Sequence, residues 1–379
     1  MSEKTVYILG AGFSMPAGAP SQAELLNIAL GGDSHDGLQE KRKNVQAFLD
    51  TGLNVKADKV TLEDVYTPID RCISDGIGLK SYSFNDLHKV RDDLGILVCS
   101  AIDHKFKGAR LGSAEYVKNF AQHLVDKAAH RAELAENTED AAEAKAYDPL
   151  AVISLNWDIL LDNALYKALR EKDNHMEGAY DPFGVVDYCC YISSLDPEEP
   201  AIRTGLWSLG CKGYNVKLLK IHGSMNWLQC SNCQQMFVGF DEKLITNIIE
   251  NPKNCRHCKK QGNHSLLRGS LVMPTFLKDL RNFQIKLIWQ NASIELMEAR
   301  RLVFIGYSLP HADFEFRQLL SRMVHKDAKI DVVLWGGTND DEKRTYEEER
   351  SRYRAFFSNH EVNFESEGVE KYVETLEQV

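Results

Sequence analysis

The sequence predicts an α/β protein: a doubly wound (Rossmann-like) parallel sheet with a helical insertion and a small zinc-ribbon module. Short apolar runs alternate with helical stretches, a glycine-rich turn follows the first run, and two Cys-x-x-Cys pairs occur late in the chain. Strands that are apolar throughout are typical of parallel sheets covered by helices on both faces. The expected strands are residues 6–9, 151–155, 216–221, 301–305 and 330–335.

The domain organisation follows from the spacing of these runs. A chain of 379 residues can form two domains or one large domain with insertions. About 120 residues separate the glycine turn from the second strand, far more than a crossover needs. Val117, Phe120 and Leu124 recur at helical spacing within this stretch. We therefore expect a Rossmann-like domain from 1–34, 147–228 and 269–379, a helical insertion at 35–146 and a zinc module at 229–268.

Composition narrows the class of protein. The net charge of −10 argues against a cationic surface that coats nucleic acid. One basic cluster (Lys253, Arg256, Lys259 and Lys260) is more typical of a solvated loop, so direct nucleic-acid binding is not expected. Apolar runs stay well short of the roughly 18 residues that span a bilayer. The start, MSEKTVYIL, lacks the basic region of a signal peptide. We expect a cytoplasmic protein that does not associate with membranes.

The nine cysteines of a cytosolic chain should be thiols or metal ligands. Four of them form two pairs, CSNC at 230–233 and CRHC at 255–258. This spacing suits a structural Zn²⁺ held by Cys230, Cys233, Cys255 and Cys258. Four protein ligands leave no position for a metal-bound water, so we assign the metal no catalytic role. His257 and His264 are expected to be exposed, and the cysteines at 72, 99, 189, 190 and 211 have no ligand spacing.

The glycine turn is the first candidate binding element. Gly10-Ala11-Gly12-Phe13-Ser14 follows an apolar strand and precedes helix-forming residues from Gln22 onward. Such a turn lets backbone N–H groups approach a phosphate at a helix N-terminus. The same glycines also occur where a helix only packs closely on a strand, so the turn alone is a weak indication.

Polar residues end three further strands. Asn156 and Asp158 follow the second strand, His222 follows the third, and Gly306 and Ser308 lie in the loop after the fourth. The carboxyl ends of parallel strands line the crevice where open α/β sheets bind ligands. Asp158 could equally cap the next helix, whereas the Asn156 amide needs a partner. The near-neutral pKa of histidine suits His222 to proton transfer or ribose contact.

In this order, the motifs resemble those of the sirtuin (silent information regulator) family. The resembling segments are Gly10-Ala11-Gly12-Phe13-Ser14, Leu155-Asn156-Trp157-Asp158, His222-Gly223, the four cysteines and Gly306-Tyr307-Ser308. The resemblance implies an NAD-binding domain in which the glycine turn, Pro20, Gly306 and Ser308 hold the dinucleotide. Asn156, Asp158 and His222 would be catalytic, and NAD would be the substrate.

The departures from that family indicate the kind of reaction. The sirtuin deacetylases continue the glycine loop into Asp-Phe-Arg, whereas this chain reads AGAPSQ at 17–22. The segment VMPTFL at 272–277 lacks the Phe-Gly-Glu that helps hold an acetyl-lysine peptide. These changes look like the bacterial sirtuin-like proteins of antiviral defence, which are implied to cleave NAD. Several of those work with a HerA-type ATPase or an Argonaute, and without a Walker A sequence in this chain we expect a separate partner.

The resemblance implies an NAD⁺ glycohydrolase that releases nicotinamide and ADP-ribose and depletes NAD during abortive infection. Asn156 would orient water, Asp158 would favour the cationic transition state, and His222 would bind ribose hydroxyls or accept a proton. Because uncontrolled hydrolysis would kill the host, gating by homo-oligomerisation or a partner is expected. Three alternatives stay open: NAD-dependent protein deacylation, a non-catalytic NAD or ADP-ribose sensor of a defence complex, and a nuclease or nucleic-acid-binding subunit.

Overall fold

The structure is a computed structural model that describes residues 4–32, 37–108, 114–137, 150–174, 184–196, 214–240, 251–276, 278, 280 and 282–376. The strands are β1 Thr5–Leu9, β2 Leu150–Ser154, β3 Gly184–Asp187, β4 Ile192–Ser194, β5 Tyr214–Lys220, β6 Gly223–Cys230, β7 Met236–Val238, β8 Leu267–Leu271, β9 Arg301–Ile305, β10 Lys329–Val333 and β11 Val362–Glu365. The helices are α1 Gln22–Gly31, α2 Gln39–Ala47, α3 Leu62–Asp75, α4 Phe84–Gly108, α5 Glu115–Asn137, α6 Leu160–Asn174, α7 Arg256–Lys260, α8 Phe283–Glu298, α9 Phe314–Met323, α10 Asp340–Phe356 and α11 Gly368–Leu376.

Seven strands form one parallel sheet in the order β11-β10-β9-β1-β2-β5-β3. This confirms the predicted fold class, and all five predicted strands belong to the sheet. The sequence did not reveal the two edge strands. In β11 the burial alternates between half-buried and exposed, and β3 has only four residues, so neither forms a long apolar run.

The register of the strands brings the predicted polar residues to one edge of the sheet. Leu9 lies beside Ser154 and Ile305, and Ser154 lies beside Lys220. β1, β2, β5 and β9 therefore end at the same level. Whatever follows these four strands in sequence lies at one edge of the sheet.

The buried apolar residues form two clusters. One covers the parallel sheet and includes α5, whose Val117, Phe120 and Leu124 are fully or almost fully buried. The other joins α1 to α4 with β6, β7 and β8, through residues such as Tyr66 and Leu228. The proposed boundaries of the insertion at 35 and 146 stay a prediction; 138–146 and Cys211 lie outside the described residues.

A second sheet has the order β4-β7-β6-β8, with β6 antiparallel to β7 and β8. Its strand β6 begins shortly after β5 ends, so the chain passes directly from the carboxyl edge of the large sheet into the small one. His222 lies in that connection. Among the described residues, no helix combines the length and the apolarity that crossing a membrane requires.

Candidate active site

The glycine turn packs against the loop that follows β9. Its own N–H groups donate to backbone carbonyls: Gly10 to Ile305, Gly12 to Gly306, Phe13 to Gly10 and Ser14 to Ala11. A Cβ on Gly10 would lie 2.6 Å from the Gly306 carbonyl oxygen, and a Cβ on Gly306 would lie 2.3 Å from the carbonyl carbon of Gly12. The glycines are thus required by the close approach of two loops. Ala11 is exposed, and its N–H donates none of these bonds within the described part of the chain, so a phosphate could use this N–H.

Ser14, Asn156 and Asp158 form one hydrogen-bonded group. The Ser14 hydroxyl donates to Asp158 Oδ2 at 2.8 Å. The Asn156 amide Nδ2 donates to the Gly10 carbonyl at 2.9 Å and to Ser14 Oγ at 3.2 Å. Because Nδ2 is directed into the turn, Oδ1 is the atom of Asn156 that can orient a water molecule. The sequence-based interpretation of these three residues as neighbours is correct in its geometry.

Asp158 also caps α6, since its Oδ1 accepts a hydrogen bond from the Leu160 N–H at 3.1 Å. Burial raises the pKa of its carboxyl above the ordinary value, and Lys220 and the Ser14 hydroxyl only partly oppose this. Asp158 can therefore cap α6 with one oxygen and take part in the candidate site with the other. A partly desolvated carboxylate stabilises a nearby cation more strongly than a solvated one does.

Lys220 lies beneath this group and was not singled out from the sequence. Its side chain is 1% exposed, and Nζ forms an ion pair of 3.0 Å with Asp162, which is itself buried. Nζ also donates to the main-chain carbonyl of Asp158. The Tyr188 hydroxyl donates to the other oxygen of Asp162 at 2.8 Å. This buried ion pair fixes the segment that carries Asp158 to the end of β5.

His222 contacts the main chain directly after β2. Its Nδ1 lies 3.2 Å from the Leu155 carbonyl oxygen, directly before Asn156. The ring is buried, and burial lowers its pKa to about 4, while Asp313 raises it and Lys278 lowers it further. The imidazole is therefore neutral at physiological pH. A neutral histidine can accept a proton, so the sheet edge that carries Asn156 and Asp158 also carries a base at His222.

The remaining candidate dinucleotide contacts lie around the turn. Gly306 adopts φ +60°, in the left-handed region, where its carbonyl accepts the Gly12 N–H at 2.8 Å. The Ser308 carbonyl accepts a hydrogen bond from Arg352 Nε at 3.0 Å. Pro20 is half-buried just before α1. The structure therefore gives Gly306 a packing role and leaves Ser308 and Pro20 near the turn.

A cleft of about 810 Å³ opens at the carboxyl ends of β10 and β11. Trp335, Gly336, Ser366 and Lys371 are among its lining residues, and Trp335 is 56% exposed. The sequence placed Trp335 at the end of a buried strand, but β10 ends at Val333. An exposed indole at this edge offers a flat surface on which a planar ring can stack.

The four cysteines of the two CxxC pairs come together, as the sequence predicts. Their sulfur atoms all lie within 4.8 Å of one another, and the Cys230–Cys258 and Cys233–Cys255 sulfurs are 3.6 Å apart. Tetrahedral zinc with Zn–S bonds of about 2.3 Å requires sulfurs separated by roughly 3.8 Å. The residues thus fit a structural zinc ion. His257 and His264 are exposed and outside the cluster, as expected.

Hydrogen bonds from outside the cluster support the cysteines. Asn232 Nδ2 donates to Cys258 Sγ at 3.4 Å, and Ser265 Oγ lies 3.3 Å from Cys230 Sγ. Such contacts orient metal-binding thiolates. The basic residues Lys253, Lys259 and Lys260 are exposed around the cluster. The module therefore has the character of a structural metal centre with a solvated surface.

Comparisons with known proteins identify similar structures but no family. No family model matches the chain, and no curated protein matches it. The solved structures that match include two sirtuin structures described under the structural basis of sirtuin substrate affinity. Their sequences are 14% and 16% identical to this chain, with TM-scores of 0.36 and 0.38. Another is a complex of Sir2 with a p53 peptide and NAD⁺, at 13% identity and a TM-score of 0.37.

These matches cover all of this chain and 93%, 94% and 93% of the matched chains. At such TM-scores the likeness carries no argument about substrate or mechanism. The assignment of the fold rests on the parallel sheet itself, and the assignment of the site rests on its contacts.

Proposed function

We propose that this chain is an NAD⁺ glycohydrolase, which cleaves the bond between nicotinamide and ribose to give ADP-ribose and nicotinamide. One observation carries the proposal. Ser14, Asn156, Asp158 and His222 follow three adjacent strands, β1, β2 and β5, at the carboxyl edge of the sheet. Hydrogen bonds join the first three side chains, and His222 contacts the carbonyl of Leu155, the residue before Asn156. An amide, a carboxylate and a neutral imidazole at one place supply what glycosidic hydrolysis requires.

The dimensions of the edge suit a dinucleotide. The cleft at Trp335 follows β10, and His222 follows β5, four strand spacings away in the sheet order. With about 4.8 Å between neighbouring strands, these two points lie about 19 Å apart. This matches the reach of an extended dinucleotide. We propose that a purine stacks at Trp335, that Ala11 and the turn face the pyrophosphate, and that the nicotinamide ribose lies at Asp158.

In this scheme the chain stabilises charge and supplies a nucleophile. Departure of nicotinamide leaves positive charge on the ribose, which the buried carboxylate of Asp158 favours. Asn156 Oδ1 accepts a hydrogen bond from the attacking water, and His222 takes its proton. The water oxygen bonds to C1′ while nicotinamide leaves with the electron pair of the C–N bond, so one proton is released for each NAD⁺ consumed.

The biological setting is part of the proposal. We propose that the chain acts in the bacterial cytoplasm as a homo-oligomer, with a separate partner such as a HerA-type ATPase, and depletes NAD⁺ in antiphage defence. The motif resemblance and the hazard of an unregulated hydrolase support this setting. The test is to assay the chain alone and with the product of the neighbouring gene. High turnover alone that the neighbour does not change would contradict gating.

The decisive measurement is nicotinamide release from NAD⁺ by the purified chain and its partner complex. Asn156→Ala and His222→Ala should each abolish release, while circular dichroism and zinc content stay at wild-type values. His325→Ala is the matched control, because His325 lies before β10 at the opposite edge of the sheet. Release that depends on an acetylated peptide would indicate deacylation instead. Tight NAD⁺ binding without release would indicate a sensor.

A further inference from the structure

The orientation of His222 defines which of its nitrogen atoms is basic. Nδ1 faces the Leu155 carbonyl oxygen at 3.2 Å. Because a carbonyl oxygen can only accept a hydrogen bond, Nδ1 carries the proton of the neutral ring. Nε2 is then the atom that can take up a proton. It is buried and has no hydrogen-bond partner within the part of the chain that the structure describes.

Two opposite charges face Nε2. The nearest is Asp313 Oδ1, 4.0 Å away at the start of α9. The same oxygen accepts a hydrogen bond of 2.8 Å from Lys278 Nζ, whose side chain is 2% exposed. Lys278 comes from the segment between β8 and α8, and also lies 3.5 Å from Glu315. From the segment after β2 and from α8, the described contacts of the imidazole are the uncharged Leu155 carbonyl and the Trp289 ring, 6.4 Å away.

Asp313 is held in its position independently of His222. The Tyr307 hydroxyl donates to its second oxygen at 3.1 Å, and Lys278 holds the first. Burial by itself would raise the pKa of this carboxyl, but His222 and Lys278 outweigh it and lower the pKa. The carboxylate is therefore charged and fixed, with one oxygen directed between an ammonium and an imidazole.

We propose that Asp313 is a positioning residue for His222, the counter-ion of the imidazolium that forms when Nε2 takes up a proton, and that Lys278 competes for the same oxygen. When the proton moves from water to Nε2, the new N–H can donate to Asp313 Oδ1 after a shift of about 1 Å, since hydrogen bonds of this kind span about 2.7–3.2 Å. Burial and, to a lesser extent, Lys278 keep Nε2 unprotonated until then. The role of Asp313 in proton transfer rests on the proposed function. The effect of Asp313 and Lys278 on the pKa of His222 does not.

The two charges predict opposite shifts in the pKa of His222. Lys278→Met removes the competing cation and should raise this pKa by about one unit or more. Asp313→Asn, added to Lys278→Met, should cancel most of that rise, because the imidazolium then loses its counter-ion. Lys278→Arg keeps the charge and should leave the pKa near the wild-type value. Glu315→Gln changes a contact of Lys278 but not the carboxylate at His222, and serves as the second control.

The experiment is an NMR titration of the His222 Cε1–H resonance in the full-length chain, assigned by its disappearance in His222→Gln. A rise in Lys278→Met that Asp313→Asn reverses supports the proposal. Equal pKa values in Lys278→Met and in the double variant would overturn it, whether or not the chain consumes NAD⁺. Conversely, failure to release nicotinamide with the expected titration would contradict the proposed function alone.

A kinetic readout applies if nicotinamide is released. Asp313→Asn should lower kcat at least tenfold with little change in KM, because it acts on proton transfer rather than on binding. In Lys278→Met, the acid limb of the pH–rate profile should move to higher pH together with the NMR pKa. An unchanged kcat in Asp313→Asn would remove this residue from the reaction.

Discussion

The Ser14 hydroxyl donates a hydrogen bond of 2.8 Å to Asp158 Oδ2, which connects the turn after β1 with the segment after β2. Ser14 is 1% exposed, so the bond is shielded from water. It also places the hydroxyl where Asn156 Nδ2 can donate to it. A serine in the glycine turn therefore organises the two side chains of the next strand end, and need not act only on a phosphate.

Ser14→Ala should reduce both stability and activity. It removes a buried partner from Asp158 and from Asn156, so the unfolding free energy should fall by about 1–3 kcal/mol. The pKa of Asp158 should rise further, since the Ser14 bond lowers it. Nicotinamide release should drop at least tenfold. Ser21→Ala is the control, because Ser21 donates a similar 2.7 Å bond to Glu24 at an exposed helix start. Equal activity in the two variants would exclude an organising role for Ser14.

Gly306→Ala should be much more damaging than an alanine at another left-handed glycine. Gly76 has φ +70° and open space where an alanine methyl group would lie, so Gly76→Ala should cost only about 1–2 kcal/mol for its backbone conformation. At Gly306, with φ +60°, the methyl group would also collide with the Gly12 and Phe13 backbone at 2.3 Å. We expect a loss on the order of 4 kcal/mol or more in urea unfolding. Similar losses in both variants would show that the two loops can separate at little cost.

Lys220→Met should destabilise the chain through the carboxylate that it leaves behind. Among the described residues, Asp162 would keep only the Tyr188 hydroxyl as a partner, and this buried charge should cost about 3–5 kcal/mol. Lys220→Met combined with Asp162→Leu should recover part of this loss, because no unpaired charge remains. A double-mutant cycle in urea measures the coupling. If the losses of unfolding free energy from the two substitutions were additive, the ion pair between Lys220 and Asp162 would have no coupling energy.

The stability of the chain should depend on pH through His222. Its pKa is lowered to about 4 by burial, from 6.5, so the unfolded chain binds more protons between these values. Folding stability from the neutral ring is therefore present above pH 6.5 and is lost as the pH falls toward 4, by on the order of 3 kcal/mol. The melting temperature as a function of pH, compared between wild type and His222→Gln, isolates the contribution of His222 to stability. His325→Gln is the control. If the melting temperatures of wild type and His222→Gln changed with pH in parallel, the lowered pKa of His222 would be contradicted.

Removal of the metal should affect folding of the second sheet rather than the proposed chemistry directly. Cys255→Ser removes a fully buried member of the cluster, and zinc content should fall from about one to near zero per chain. Cys72→Ser changes a buried thiol in the helical core, outside the cluster, and should keep its zinc. Elemental analysis and the melting temperature provide the readouts. Full zinc content in Cys255→Ser would show that the four sulfurs do not form the site.

The common location of the candidate site residues could be predicted from the sequence where these residues follow a strand end. Asn156 and His222 follow an apolar run directly and Asp158 comes two residues after Asn156, so their common location could be inferred from the parallel topology alone. Asp313 and Lys278 gave no comparable indication, because Asp313 directly precedes α9 and Lys278 lies in the connection between β8 of the small sheet and α8. The glycine turn was interpreted through phosphate binding, whereas its packing against Gly306 depends on a second loop distant in sequence.

The sheet, its carboxyl edge and the four-cysteine centre could all be predicted from the sequence, because hydrophobic periodicity and ligand spacing are local properties of one stretch of chain. The partners of these groups became known only from the folded chain: the buried Lys220 beneath Asp158, the Asp313 and Lys278 charges at His222, and the cleft at Trp335. Electrostatic interactions and loop packing depend on distances between segments far apart in the chain, and those distances arise only when the strands assemble in their final order.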